Sequence, residues 1–434
     1  MRRYRQYFAR LRSEPATPYV AAVAVRTAAR AVWGIVLPTI LTVAAYGRYQ
    51  LIVTAAAMVA QISLLGTPQT IVRYAGQRLP GALLTAHSAG LAAAGVALAV
   101  IAVPTLRTAN GAIVLAALAV ATVAAALLGA GAKARFAFRT SFLGETAGAV
   151  VLVIAAVAAI TSTTARQILG NPSRPVLIEA SALAITMLVF LRGRRPPADE
   201  AASPPSRAVF ANVYTVGTLA LMDVVLFRRL EVYFLERSPD GLSGVAVLGL
   251  SLQIATVALL VPTALLEAWQ PRFALLANGT RALFDREVVK RRRQFAMLMS
   301  VVVVAGVVVP LIAVPLVFPQ YRPWLGFIVT FVAVRVVCAT AGFYSAILYA
   351  AGGHRALYVP AFTTAVIAIA GNALLTRPLG LTGAAIAFTL TQLTLAVLTV
   401  VAFHRTPPGG AQGDHTVPVA PKTQGNQGVR VAEI

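Results

Sequence analysis

Arg26 and Arg30 stand four residues apart in a stretch of Ala, Val and Thr, so in a helix they share one face. Counted from about residue 19, Arg30 lies ~16 Å along that helix at 1.5 Å per residue. That is deep for a side chain that must reach water by snorkelling. A guanidinium binds phosphate in a forked, bidentate manner, and a charge inside a membrane usually faces a cavity or a partner. One reading of the pair is a cationic wall for a phosphate-bearing or otherwise acidic substrate. The other is a helix that starts near Thr27, with both arginines reaching cytoplasmic headgroups.

A second constellation falls in the apolar run from 208 to 236, where Asp223, Arg228, Arg229 and Glu231 interrupt Leu, Val, Phe and Met. Arg228 and Glu231 are spaced i and i+3, so they can neutralise each other, either as a substrate site or as a cluster that fixes the helix near the outer interface. Asp223 has no partner in its own run. It is a candidate for proton or sodium coupling, or for an ion pair with Arg30. Arg335 lies about eleven residues into its run and is a third candidate cavity arginine. Glu145 and Glu179 fall a few residues from the ends of theirs, within the reach of headgroups, and Glu267 precedes Trp269, Pro271 and Arg272 at an interface.

Other chemistry finds no sequence support. The four histidines are scattered, and His87 alone reads as a packed residue with a hydrogen bond, since one His makes no metal site. The single cysteine, Cys338, offers no disulfide within the chain and no thiolate metal site. There is no H-E-x-x-H, P-loop lysine or G-x-S-x-G. The sequence therefore predicts no enzyme, cofactor or metal.

The elements that must hold these charges are membrane helices. Of 434 residues 58% are hydrophobic and only 12% charged, against about a quarter charged in soluble domains; the mean hydropathy is +0.78. Apolar runs of about membrane-spanning length occur near 18–45, 50–72, 81–105, 111–132, 141–162 and 175–191, and again near 208–236, 242–269, 295–318, 324–350, 355–376 and 379–403. The expectation is an all-α integral membrane protein of about 12 transmembrane helices. Residues 1–191 form a six-helix lobe, 192–207 a charged, Pro-rich cytoplasmic linker, 208–405 a second six-helix lobe, and 406–434 a disordered tail. The five arginines at the N-terminus lead into a long apolar stretch, which does not read as a cleaved signal peptide.

The formal net charge of +23 would suggest nucleic acid in a soluble protein, but most of the arginines sit between apolar runs. With both termini cytoplasmic, 25 of the 37 Lys and Arg fall inside the cell, seven outside and five within helices, the bias of the positive-inside rule. The basicity reads as topology, with membrane lipids and not nucleic acid as partner.

Weak similarity links the halves: Arg73-Tyr74-Ala75 and Arg272-Phe273-Ala274 each follow an apolar run containing proline (Pro68, Pro262), as internal repeats in transporters do. Ala45-Tyr46-Gly47-Arg48-Tyr49 and the helix ending Leu65-Gly66-Thr67-Pro68-Gln69-Thr70-Ile71-Val72-Arg73-Tyr74 resemble the first hairpin of Wzx-type polysaccharide flippases, in the multidrug/oligosaccharidyl-lipid/polysaccharide exporter superfamily. The segment from Arg228 to Leu235, Ser243 to Leu250 with Pro262 and Pro271-Arg272-Phe273, and Gly380 to Ala387 are similar to later family segments. Two departures are Glu231 where Asp is usual and Val247 where an aromatic is common.

The resemblance implies two six-helix bundles in a V around a central cavity, alternating between inward- and outward-open states. It implies a bacterial plasma-membrane flippase for a lipid-linked oligosaccharide or polysaccharide precursor, with glycan-assembly enzymes as partners. Arg26, Arg30 and Arg335 would meet the anionic headgroup, and Asp223, Arg228 and Glu231 would couple movement to ions or form a cavity ion pair. A cation-coupled multidrug exporter of the same superfamily is the alternative, favouring acidic cavity residues. A polyprenyl-linked membrane glycosyltransferase or glycan polymerase is a third reading, although the outer loops offer only Glu236 and Asp240 as acids.

Overall fold

The computed structural model describes residues 16–73, 79–103, 106–134, 138–192, 205–221, 230–277, 281–351 and 353–406. Residues 193–204 of the predicted 192–207 linker, Asp223, Arg228, Arg229 and residues 407–434 of the predicted 406–434 tail lie outside them.

The helices are α1 (Ala16–Ile40), α2 (Val43–Leu64), α3 (Thr67–Arg73), α4 (Gly81–Ala102), α5 (Ala109–Ala134), α6 (Phe138–Thr161), α7 (Thr163–Leu169) and α8 (Ser173–Arg192). After the linker come α9 (Ser206–Leu221), α10 (Leu230–Glu236), α11 (Gly241–Ala258), α12 (Leu260–Ala277), α13 (Arg281–Val317), α14 (Leu325–Cys338), α15 (Gly342–Ala350), α16 (Tyr358–Gly371) and α17 (Arg377–Arg405). No strand occurs among the described residues. Nine helical spans there are long and apolar enough to cross a membrane. The fold is all-α and membrane-type, as the apolar runs predict.

Among the described residues the predicted runs coincide largely with helix, and the differences have local causes. The second run begins at Val43 because Thr42, in extended conformation, accepts a hydrogen bond from the Ala45 amide through Oγ1 at 3.3 Å, an N-cap. The Tyr46–Tyr49 segment therefore lies inside α2. The ninth run is longer than its apolar part: α13 has 37 residues, because Arg, Lys and Glu are good helix formers and Arg291 bonds Glu287 one turn back at 2.9 Å. Arg291 also lies 5.0 Å from the centre of the Trp269 ring on α12. The last two runs are one 51-residue helical span, Arg355–Arg405, broken by a π-helical turn at Asn372–Thr376 and a reversal at Gly380. Gly380 has φ +58°, where a side chain is strained, and the Leu381 amide there donates to Asp240 Oδ2 at 2.6 Å.

The burial pattern suits lipid as solvent. Large apolar side chains point outward, including Ile101 on α4 and Leu316 on α13, at 68% and 76% exposure. Interior hydroxyls bond their own helix: Ser63 donates to Val59 O, Ser251 to Val247 O and Thr391 to Ala387 O at 2.6–2.7 Å, so few polar groups face hydrocarbon unsatisfied.

Helices α1 to α8 pack among themselves, chiefly α1 on α6, α6 and α5 on α8, and α2 on α4 and α5; helices α10 to α17 do likewise around α14 and α17. The two groups meet mainly where α11 crosses α2 and α1. Backbones touch there: a Cβ on Gly47 would lie 2.0 Å from Leu242 O, so only glycine fits. Gln253 of α11 rests on Gly34 of α1, and Gln50 of α2 rests on Gly249 of α11. Gln320, in the 3₁₀ turn Pro319–Trp324, donates to Pro38 O. A second meeting place lies at the far end of α2, where Asn212 of α9 donates to Thr70 Oγ1 at 2.8 Å and His87 is flanked by Phe210 and Tyr214. His87 Nε2 is buried without a hydrogen bond, so ring packing, not the expected hydrogen bond, holds it.

Gly47→Val should drive a branched side chain into Leu242 O and lower stability by about 1–3 kcal/mol, the usual range for overpacking. Gly81→Ala, where a Cβ meets nothing within 4 Å, should leave the melting temperature in detergent unchanged. Equal melting temperatures for Gly47→Val and the wild type would refute the contact.

Candidate functional site

Three helices of the first half, α1, α6 and α8, enclose a narrow cleft of about 30 Å³, lined by Arg26, Arg30, Glu145, Glu179, Thr186 and small or aliphatic residues. Small residues let the walls approach: a Cβ on Gly148 of α6 would lie 2.3 Å from Thr186 Oγ1 and 2.8 Å from Ala182 O, both on α8. The cleft volume is far below the ~300–1,000 Å³ usual for ligand sites.

The two arginines of α1 have different partners. Arg26 Nη1 is 2.8 Å from Glu145 Oε1, the side chains being 38% and 19% exposed. Arg30, one turn on, is exposed, feels the charges of Arg26, Glu179 and Glu145, and forms no ion pair within 4 Å among the described residues. Glu179 instead accepts from Trp33 Nε1 at 3.1 Å and from the Tyr49 hydroxyl, both from buried rings. The cleft floor thus carries two cations and two carboxylates.

This floor is tied to the seam between the halves. Tyr49 stacks on Tyr46 at 5.9 Å, and Tyr46 meets Tyr321 of the second half edge-on at 6.3 Å. Gln253 Nε2 donates to the main-chain oxygen of Arg30 itself at 3.3 Å. A change in how the halves meet therefore acts on the segment that carries Arg30.

Arg335 is elsewhere. It lies in the second half on α14 and donates to Gln392 Oε1 of α17 at 2.9 Å. Its charge reaches Glu231 of α10, which is fully buried. Around them, Thr376 donates to Asn372 Oδ1 at 2.7 Å and Asn372 to Ala368 O at 2.8 Å, all buried. The three arginines grouped from sequence are thus split between two polar centres: Arg26 with Arg30 in one half, Arg335 with Glu231 in the other. Asp223 and Arg228 lie outside the described residues, and with them the Arg228–Glu231 and Asp223–Arg30 pairs. Glu145 and Glu179, assigned from sequence to helix ends, stand in the cleft; the signal for them was two single acids against two single arginines in the apolar runs of one half. The described residues hold no group of three His, Cys, Asp or Glu that could bind a metal ion.

No family model matches the sequence, and no curated protein matches it. Solved structures do. A multidrug-resistance MATE family transporter of the MOP superfamily in an inward-facing conformation is 14% identical, with TM-score 0.59, covering 87% of this chain and 94% of its own. An outward-facing conformation of such a transporter is 16% identical, with TM-score 0.59, covering 89% and 93%. A MOP superfamily transporter from Pyrococcus furiosus, described as having a binding pocket of reverse polarity that suggests a different function, is 14% identical, with TM-score 0.52, covering 89% and 93%. The chain therefore has the fold of the MATE transporters of the MOP superfamily.

Proposed function

We propose that this protein is a multi-pass plasma-membrane transporter that moves a lipid-linked oligosaccharide or polysaccharide precursor by alternating access. The observation that carries this reading is Arg30: an exposed guanidinium in a largely apolar helix, without an ion-pair partner among the described residues, beside a second arginine on the same face. A cation in that setting is costly unless an anion or water meets it, and a diphosphate presents oxygens that two guanidinium forks can share. The lipid chain can stay in the bilayer while the headgroup enters the cleft, so the sugar alone must be carried past apolar surface. Similarity to both inward- and outward-facing transporters supports alternation, and it favours transport over glycosyl transfer. The buried Glu231–Arg335 centre is our candidate for ion coupling, with Asp223 and Arg228 on the preceding segment. Bacterial glycan-assembly enzymes would supply the substrate.

The second reading, a cation-coupled multidrug exporter, is favoured by the two carboxylates in the same cleft, Glu145 and Glu179, and by the drug transporters that share the fold. Movement of a fluorescent polyprenyl-diphosphate-linked sugar across proteoliposomes separates the two. The wild type should translocate it. Arg30→Ala should lose about 10–100-fold, the worth of one charge-assisted contact, while keeping its melting temperature. Efflux of cationic dyes with no lipid translocation would overturn the flippase in favour of the exporter. Glu231→Gln should abolish the response of transport to an imposed proton or sodium gradient; an unchanged response removes Glu231 from coupling.

A further inference from the structure

Charge balance in the cleft leads one step further, resting on the reading that an anionic headgroup binds there. Arg26, Arg30, Glu145 and Glu179 sum to zero when all are ionised. A bound diphosphate adds at least two negative charges to a low-dielectric site, where like charges repel strongly. The two carboxylates are placed differently for this event. Glu179 keeps Trp33 and Tyr49 as donors whatever happens to the arginines. The partner of Glu145 is Arg26, one of the two forks the diphosphate takes.

We propose that the anionic headgroup displaces Glu145 from Arg26, and that the released carboxylate takes a proton from the solvent, so that substrate binding and uptake of one proton are a single linked event. In this exchange the Arg26–Glu145 ion pair breaks, two guanidinium–phosphate contacts form at Arg26 and Arg30, and an O–H bond forms on Glu145 as a hydronium ion or protonated buffer molecule in the solvent gives up its proton. The other charged and titratable groups facing this region are Arg30 on α1, Glu179 on α8 and the Tyr49 hydroxyl on α2. The anionic headgroup and Glu179 both favour protonation of Glu145 once Arg26 is taken, and the headgroup offsets the opposing charge of Arg30. Without the headgroup Arg26 holds Glu145 at 2.8 Å, which makes the proton a signal of occupancy. Carried to the other side with the substrate, it would leave when the headgroup leaves and Arg26 returns.

Farnesyl diphosphate is a manageable probe, and inorganic diphosphate controls for the lipid chain. Calorimetric titration of the full-length protein in two buffers of different ionisation enthalpy counts the protons taken up. The wild type should take up one proton more per bound farnesyl diphosphate than Glu145→Gln. Over the pH range in which that proton is taken up, its affinity should fall relative to that variant by about tenfold per pH unit, the slope for one linked proton. The phosphate's own titration cancels in the comparison. Infrared difference spectra of the wild type should show a protonated-carboxyl band on adding the probe, absent from Glu145→Gln and shifted in Glu145→Asp, which keeps the test open if Glu145→Gln does not fold. Binding with equal proton counts and no new band overturns the exchange and leaves the anionic substrate standing. No binding of farnesyl diphosphate overturns both. Equal affinity for inorganic diphosphate overturns the lipid-linked substrate and leaves the exchange in place.

Discussion

A guanidinium cannot rest against acyl chains without a counter-charge or water, and the packing of the first half answers that constraint. Arg26 and Arg30 rise on one face of α1, so α6 and α8 bring Glu145 and Glu179 to the same level, through Gly148, Ala149 and Ala182 that let the helices close in. Without the acids the arginines would be costly by several kcal/mol each; without the small residues the acids could not approach. Apolar side chains on the outer surfaces then face lipid, and the polar inventory is spent indoors.

The same logic shapes the second half on a smaller scale. Glu231 is sealed from solvent near Arg335, and Gln392, Asn372 and Thr376 surround the pair with neutral dipoles. The π-helical turn from Asn372 to Thr376 lies in this cluster, consistent with the habit of π-turns to occur at functional sites. One centre is an open cleft with an accessible cation; the other is closed and holds a buried carboxylate. The division follows from which charges each helix brings inward.

Between the halves the contacts are close and mostly uncharged. Gly47 lies against the backbone of Leu242, glutamines rest on Gly34 and Gly249, and Tyr46 bridges Tyr49 and Tyr321. A seam of van der Waals contact and single neutral hydrogen bonds can open without stranding a charge. Because Gln253 bonds the main chain at Arg30 and Tyr49 bonds Glu179, any sliding along this seam is felt at the cleft.

Sequence alone determined the class of this protein, because twelve apolar runs of bilayer length leave few alternatives to a polytopic helical fold and because i, i+4 spacing by itself puts Arg26 and Arg30 on one face. It marked Glu231 and Arg335 as charges out of place. It could not say that Glu145 belongs to Arg26, since residues 119 apart are joined only by how α1 and α6 pack, or that Glu179 is held by Trp33 and Tyr49. Nor could it separate Arg335 from the other two arginines. Helical periodicity is local and survives in the letters, whereas the pairing of single charges is a long-range consequence of which small residues allow which helices to touch.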